Sequence, residues 1–154
     1  MALRGWATFA WLSDYGQFYL VDREDSAFLP PQEITAEMQA RSLYVPETGI
    51  VVYTNDCLQQ HIRIAIHDCK PDHSPTETMS GKPWTRIETV KARFPSQRFG
   101  ISSPSLPDPW PAGPVFLLDA EDVTARIGWM EFEGSRDDSV PVEPDVIDIT
   151  LWPG

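Results

Sequence analysis

Gly49-Ile-Val-Val-Tyr-Thr54 and His61-Ile-Arg-Ile-Ala-Ile-His67, separated by the polar Asn55-Asp-Cys-Leu-Gln-Gln60, decide the fold. The first stretch is rich in the β-branched and aromatic residues that suit a pleated strand. In the second, Ile62, Ile64 and Ile66 fall on one side, with His61, Arg63, Ala65 and His67 on the other. A period of two with one apolar side predicts a half-buried antiparallel strand. The opposite side is then either solvent-facing or covered by another strand.

The same alternation recurs outward from this centre. Residues 1–15 carry Trp6, Phe9, Trp11 and Tyr15 without a clean period, as a first strand or an apolar arm. Gly16 to Asp22 places Phe18 and Leu20 on one face and Tyr19 and Val21 on the other, which predicts an interior strand of a layered sheet or an edge touched by another segment. Pro30-Pro31 permits a helix to begin after it, and 32–42 predicts a short one, with Ile34 and Met38 four apart. Pro46-Glu-Thr-Gly49 is a turn between Leu43–Val45 and Ile50–Tyr53 as hairpin arms.

Downstream, 70–83 is a polar connection broken by prolines. Residues 84–92 alternate as a strand whose weak apolar face centres on Ile87, and Phe99 and Ile101 mark another short strand in 98–102. Five prolines in 103–114 prevent a regular ladder, because each lacks an N–H donor. Val115–Leu118 is apolar enough for a strand. Val123, Ala125, Ile127 and Trp129 share one face of the longest strand candidate, and Ile147, Ile149 and Leu151 form the core face of the last. The expected fold is all-β: an antiparallel β-sandwich of seven or eight strands with at most one short helix, forming a single domain over 1–154. A closed barrel fits the same strand count. A domain of this length buries roughly 68–70% of its extended-chain surface, enough for a real core.

The chain carries 23 Asp and Glu against 12 Lys and Arg, a formal charge of -11. That balance opposes direct binding to nucleic acid, which requires basic side chains to displace counterions. The basic stretch Arg86, Lys91, Arg93 and Arg98, with Trp84 and Phe94 interleaved, suits a small anion or pairing with the acidic region, and salt bridges within the chain or to a partner are the expectation. Ten carboxylates against two arginines lie between Asp119 and Asp148. No secretory leader pattern opens the sequence, and no apolar run approaches the roughly 20 residues that span a bilayer, so the expectation is a cytoplasmic protein with no membrane contact.

No enzyme signature stands out. Nucleophile-elbow, phosphate-loop and dinucleotide motifs are absent, and Glu131 and Glu133 are alternating acids of one strand. Cys57, His61, His67, Cys69 and His73 offer zinc-type donors, but His61 and His67 are about 20 Å apart along an extended strand. The expectation is a non-enzyme with no metal and no cofactor, and with Cys57 and Cys69 as unpaired thiols. Acidic surface charge suits a basic protein partner, a nuclease among them, whose phosphate site the carboxylates would occupy. Asp119, Glu121, Asp122, Asp137 and Asp138 lie in or beside turns and are the candidate contacts. The alternatives are a small-ligand or carbohydrate module with Trp84 or Trp110 as a stacking platform, and a structural or assembly subunit without activity.

Tyr15-Gly-Gln-Phe-Tyr-Leu-Val-Asp22, Pro30-Pro31 before a helical segment, Gly49-Ile-Val-Val52, Ile62-Arg-Ile-Ala-Ile66 and the strand ending near Trp129 together resemble the competence protein ComJ-like family. Its members are small β-rich proteins known as inhibitors of a DNA-entry nuclease. The resemblance implies nuclease inhibition by protein–protein contact. The proline-rich run 103–114 departs from the family pattern.

Overall fold

Alternation along Ile62-Arg-Ile-Ala-Ile66 sends all three isoleucines into one shared interior, while Ala65 is buried on the opposite face. In the computed structural model, which describes residues 3–12, 15–24, 28, 31–54, 59–72, 83–104, 114–131 and 145–154, they belong to β5 (Gln59–His67). The other strands are β1 (Leu3–Leu12), β2 (Gln17–Asp22), β3 (Leu43–Tyr44), β4 (Ile50–Tyr53), β6 (Arg86–Arg93), β7 (Arg98–Ser102), β8 (Phe116–Leu117), β9 (Asp122–Met130) and β10 (Asp145–Pro153). One helix, α1 (Ala36–Arg41), completes the described elements.

The strands form two five-stranded sheets, ordered β1-β5-β10-β9-β6 and β3-β4-β2-β7-β8, and neither closes into a barrel. Phe18, Leu20, Ile50 and Val52 of the second sheet meet Ile62, Ile64, Ile127, Ile147 and Ile149 of the first in one apolar core. The indole N–H of Trp129 also reaches across, donating to the Tyr53 carbonyl at 3.1 Å. The layered, sandwich-like arrangement therefore follows from one apolar face per sheet.

Three expectations need correction. Ten strands are present among the described residues, more than the seven or eight expected, because β3 and β8 are two residues each and the aperiodic β1 is a full strand. The antiparallel rule fails at one place: β10 lies parallel to β5, with Ile147 opposite Ile62 and Ile149 opposite Ile64. Parallel partners need a long connection, and here the whole of 68–144 intervenes. On β6 the core face belongs to Val90 and Ala92, while Ile87 points outward and is 46% exposed. The parity of the strand was legible; which side met the core was not.

Other expectations hold. β2 is the middle strand of its sheet and is buried on both faces: Phe18 and Leu20 enter the main core, and Tyr19 and Val21 join Val51 and Tyr53 beneath Phe28, Met38 and Tyr44. β3 and β4 pair as hairpin arms. Their turn ends at Gly49 with φ of +84°, where a Cβ would stand 2.5 Å from the Leu20 carbonyl oxygen, so both conformation and space require glycine. The helix is shorter than 32–42. Thr35 is its N-cap, accepting from the Met38 N–H at 3.2 Å, which leaves Ile34 outside the helix and 42% exposed. β4 and β5, adjacent in sequence, belong to different sheets.

Candidate protein-contact surface

The acidic turn after β8 is held by backbone bonds on both sides. Leu118 N–H donates to the Gln97 carbonyl at 2.8 Å, Phe94 N–H to the Glu121 carbonyl at 2.8 Å, and Gly154 N–H to the Asp122 carbonyl at 3.1 Å. Asp119, Glu121 and Asp122 therefore project from a fixed corner beside the Arg93–Gln97 turn. Their side chains differ in what they meet. Asp119 accepts from Arg4 Nε at 3.0 Å, and Glu121 lies 3.2 Å from an Arg93 amino nitrogen. Both pairs are roughly half exposed, and such surface pairs contribute about 0–1 kcal/mol. The Asp122 carboxylate is exposed and, among the described residues, makes neither a hydrogen bond nor an ion pair. Three carboxylates and two guanidiniums leave this corner with one uncompensated negative charge, carried by Asp122.

Asp137, Asp138 and Trp110 lie outside the described residues, as do Cys57, His73 and Glu133. Trp84 is half-buried, and its ring covers Gly128, so one face of the indole is already occupied. The space among Trp84, Ile87, Arg126, Gly128 and Asp148 is about 10 Å³, room for roughly one water. A wider hollow of about 370 Å³ lies beside α1, between Thr35, Met38, Arg41 and Tyr44, and Trp84 is not among the described residues that line it. Cys69 is an exposed free thiol. Among the described residues, no three His, Cys, Asp or Glu side chains gather in a way that could hold a metal ion.

The basic stretch is largely used within the chain. Arg93 pairs with Glu121, Arg98 with Glu24, and Lys91 donates to the Thr124 hydroxyl at 2.8 Å and to the Gly154 carbonyl. Phe94 is fully buried, so it offers no stacking face.

One charged cluster went unrecognised in the sequence. Arg63, Asp148 and Arg126 project from the outward positions of adjacent strands β5, β10 and β9. Asp148 is buried, lies 3.2 Å from an Arg63 amino nitrogen, and accepts a long bond from the Thr150 hydroxyl at 3.5 Å. Burial pushes its carboxyl above the usual range, with Arg63 and Arg126 opposing that rise. Burial likewise lowers Arg126, whose guanidinium carbon sits 5.7 Å from the Trp152 ring centroid. His67 is lowered by burial and by the two arginines, and its Nδ1 has no hydrogen-bond partner among the described residues. A charged residue at the middle of three successive apolar strands was the available signal; their register was not.

These directions set a pH dependence. A folded carboxyl with a raised pKa binds its proton more tightly than the unfolded one, so its contribution is full at low pH and is lost as pH rises through the raised value. Asp148→Asn removes that titration. Relative to the variant, the wild type is therefore expected to gain stability as pH falls from neutral toward the ordinary carboxylate range. Urea unfolding of both proteins across that range measures the gap, and a gap moving the opposite way would contradict the assignment.

No family model matches the chain, and no curated protein matches it in sequence. Among solved structures, the fold is that of a class of small proteins made of two β-sheets. The crystal structure of ComJ, inhibitor of the DNA degrading activity of NucA, from Bacillus subtilis is similar with a TM-score of 0.71 at 13% identity, covering 100% of both chains. A structure described as crocagin biosynthetic gene J is similar with a TM-score of 0.57 at 16% identity, covering 99% of each chain. At these identities the likeness establishes the shared fold.

Proposed function

We propose that this chain is a non-enzymatic inhibitor that binds a basic nuclease through carboxylates and so blocks the surface that would hold nucleic-acid phosphates. The observation that carries the reading is the ComJ fold over the full length of both chains, together with a net charge of -11. A fold alone does not define an activity, so the surface must supply it. Here the fixed corner bearing Asp119, Glu121 and Asp122 is the described part of that surface, and Asp137 and Asp138 extend it in sequence. The partner is a protein; the chain makes no direct contact with DNA, needs no cofactor and acts in the cytoplasm.

Isothermal titration against a basic nuclease encoded beside it tests the proposal. Affinity is expected to fall with added salt, because the attraction is screened within about 8–10 Å at physiological salt. Neutralising Asp119, Glu121 and Asp122 together is expected to weaken binding about tenfold or more, equivalent to roughly 1.4 kcal/mol. Asp122→Asn should account for more of that loss than Asp119→Asn, since Asp119 is already paired with Arg4. Binding that ignores both salt and the triple substitution rules out a carboxylate-led contact.

A further inference from the structure

We propose that β1 is a self-pairing edge through which two copies of this chain join their β1-β5-β10-β9-β6 sheets into one continuous ten-stranded sheet. This inference is independent of the nuclease reading. β1 occupies the end of its sheet and, among the described residues, pairs only with β5, in unbroken register from Gly5 to Leu12 after a shift between Leu3 and Gly5. Among the described residues no hydrogen bond satisfies its other side, and the Arg4 side chain, turned to Asp119, is its one further polar contact. The remaining edges are blunted in familiar ways. β3 and β8 are two residues long, and β6 carries Arg86, Glu88, Lys91 and Arg93. β1 has ten residues, no proline and one charge, with Trp6 62% and Leu3 48% exposed. An edge of this length and apolarity is a template for another strand.

The residue pattern selects a second copy of the chain as that strand. A two-fold axis through Thr8, perpendicular to the sheet, keeps each face on its own side and sets Trp6 opposite the partner's Ala10, Ala7 opposite the partner's Phe9, and Gly5 opposite the partner's Trp11. Each pair matches a large side chain with a small one. At Gly5 even an added Cβ would meet nothing within 4 Å, which leaves room for that indole. Ala7, Phe9 and Trp11 already lie against the core, so the joined sheets extend one apolar layer. The edge also carries no carboxylate, so two copies of a strongly acidic chain meet where neither is negative. Added salt screens the repulsion between the two bodies and strengthens the pairing, the reverse of its effect on binding a basic protein.

Sedimentation of the full chain at rising concentration and salt tests this, with disulfide trapping in a Cys57→Ser, Cys69→Ser background. The expected result is a species of twice 17.4 kDa that salt favours. Thr8→Cys should cross-link copies under oxidation, because facing residues of antiparallel strands lie about 4.5–5.5 Å apart, within disulfide reach. Ala10→Cys, whose two copies would sit four positions apart, should not. Thr8→Glu places like charges face to face and is expected to weaken dimerisation about tenfold or more while leaving the thermal midpoint of the monomer intact. A mass of one chain under all conditions overturns the proposal, as does equal cross-linking at both positions or a dimer indifferent to Thr8→Glu. A monomer whose nuclease binding is abolished by Thr8→Glu also overturns it and assigns the edge to a foreign strand.

Discussion

Ile64→Ala is expected to lower the free energy of unfolding by about 2–5 kcal/mol, the range for emptying a buried branched side chain into a site that cannot collapse. Ile64 is fully buried in the middle of β5, opposite Ala7 on one side and Ile149 on the other. β10 is held on its far side by its ladder with β9, so relaxation there is limited and a cavity remains. Domains are stable by on the order of 5–15 kcal/mol in total, so one methylene cluster represents a large share. Chemical denaturation should show the midpoint moving down with the slope unchanged. His61→Ala, at an exposed position of the same strand, should change stability by only about 0.5 kcal/mol or less. Equal costs at the two positions would show that the alternation of β5 does not decide burial.

Gly128→Ala is the second large effect, and its cause lies on the other side of the same sheet. A Cβ built at Gly128 stands 2.7 Å from one ring carbon of Trp84 and 2.9 Å from the next. An indole cannot yield by rotating a flexible end, so the ring must lift from the strand or the strand must shift. Overpacking of this kind costs about 1–3 kcal/mol. In a Trp84→Ala background the obstruction is gone, and the same substitution should be neutral or stabilising by about 0.4–1 kcal/mol through the unfolded chain. The four-member cycle, followed by thermal unfolding and tryptophan fluorescence, isolates the contact. An unchanged cost of Gly128→Ala without Trp84 would place the constraint in the backbone.

The legible part of this molecule is the part governed by a period of two. The core faces of β2, β5, β9 and β10 were identified from alternation because each strand has one strongly apolar side. β6 misled for the opposite reason: Ile87 is its largest apolar residue, yet the smaller Val90 and Ala92 face the core. The parallel placement of β10 left no trace in residue type, since Asp145–Pro153 reads the same beside either kind of neighbour. At the candidate site, exposure of Asp119, Glu121 and Asp122 was anticipated from their turn. Their compensation was not, because Arg4 is 115 positions away from Asp119 and only the sheet brings them together. For Asp148 the cluster went unread, because its partner Arg63 lies 85 positions away and is set opposite it only by the register of β5 and β10.

The position of β10 has a further consequence. Asp145–Pro153 lies between β5 and β9, so the latest-made described strand fills the centre of its sheet. While the ribosome is still adding residues, a nascent chain can join β1 to β5, but the far edge of β5 waits until residues 145–151 have emerged. Such distant pairings form slowly and leave sticky surface uncovered in the meantime. Completion of this sheet therefore waits for β10, and the interval between emergence of β5 and arrival of β10 is when chaperones have most to protect.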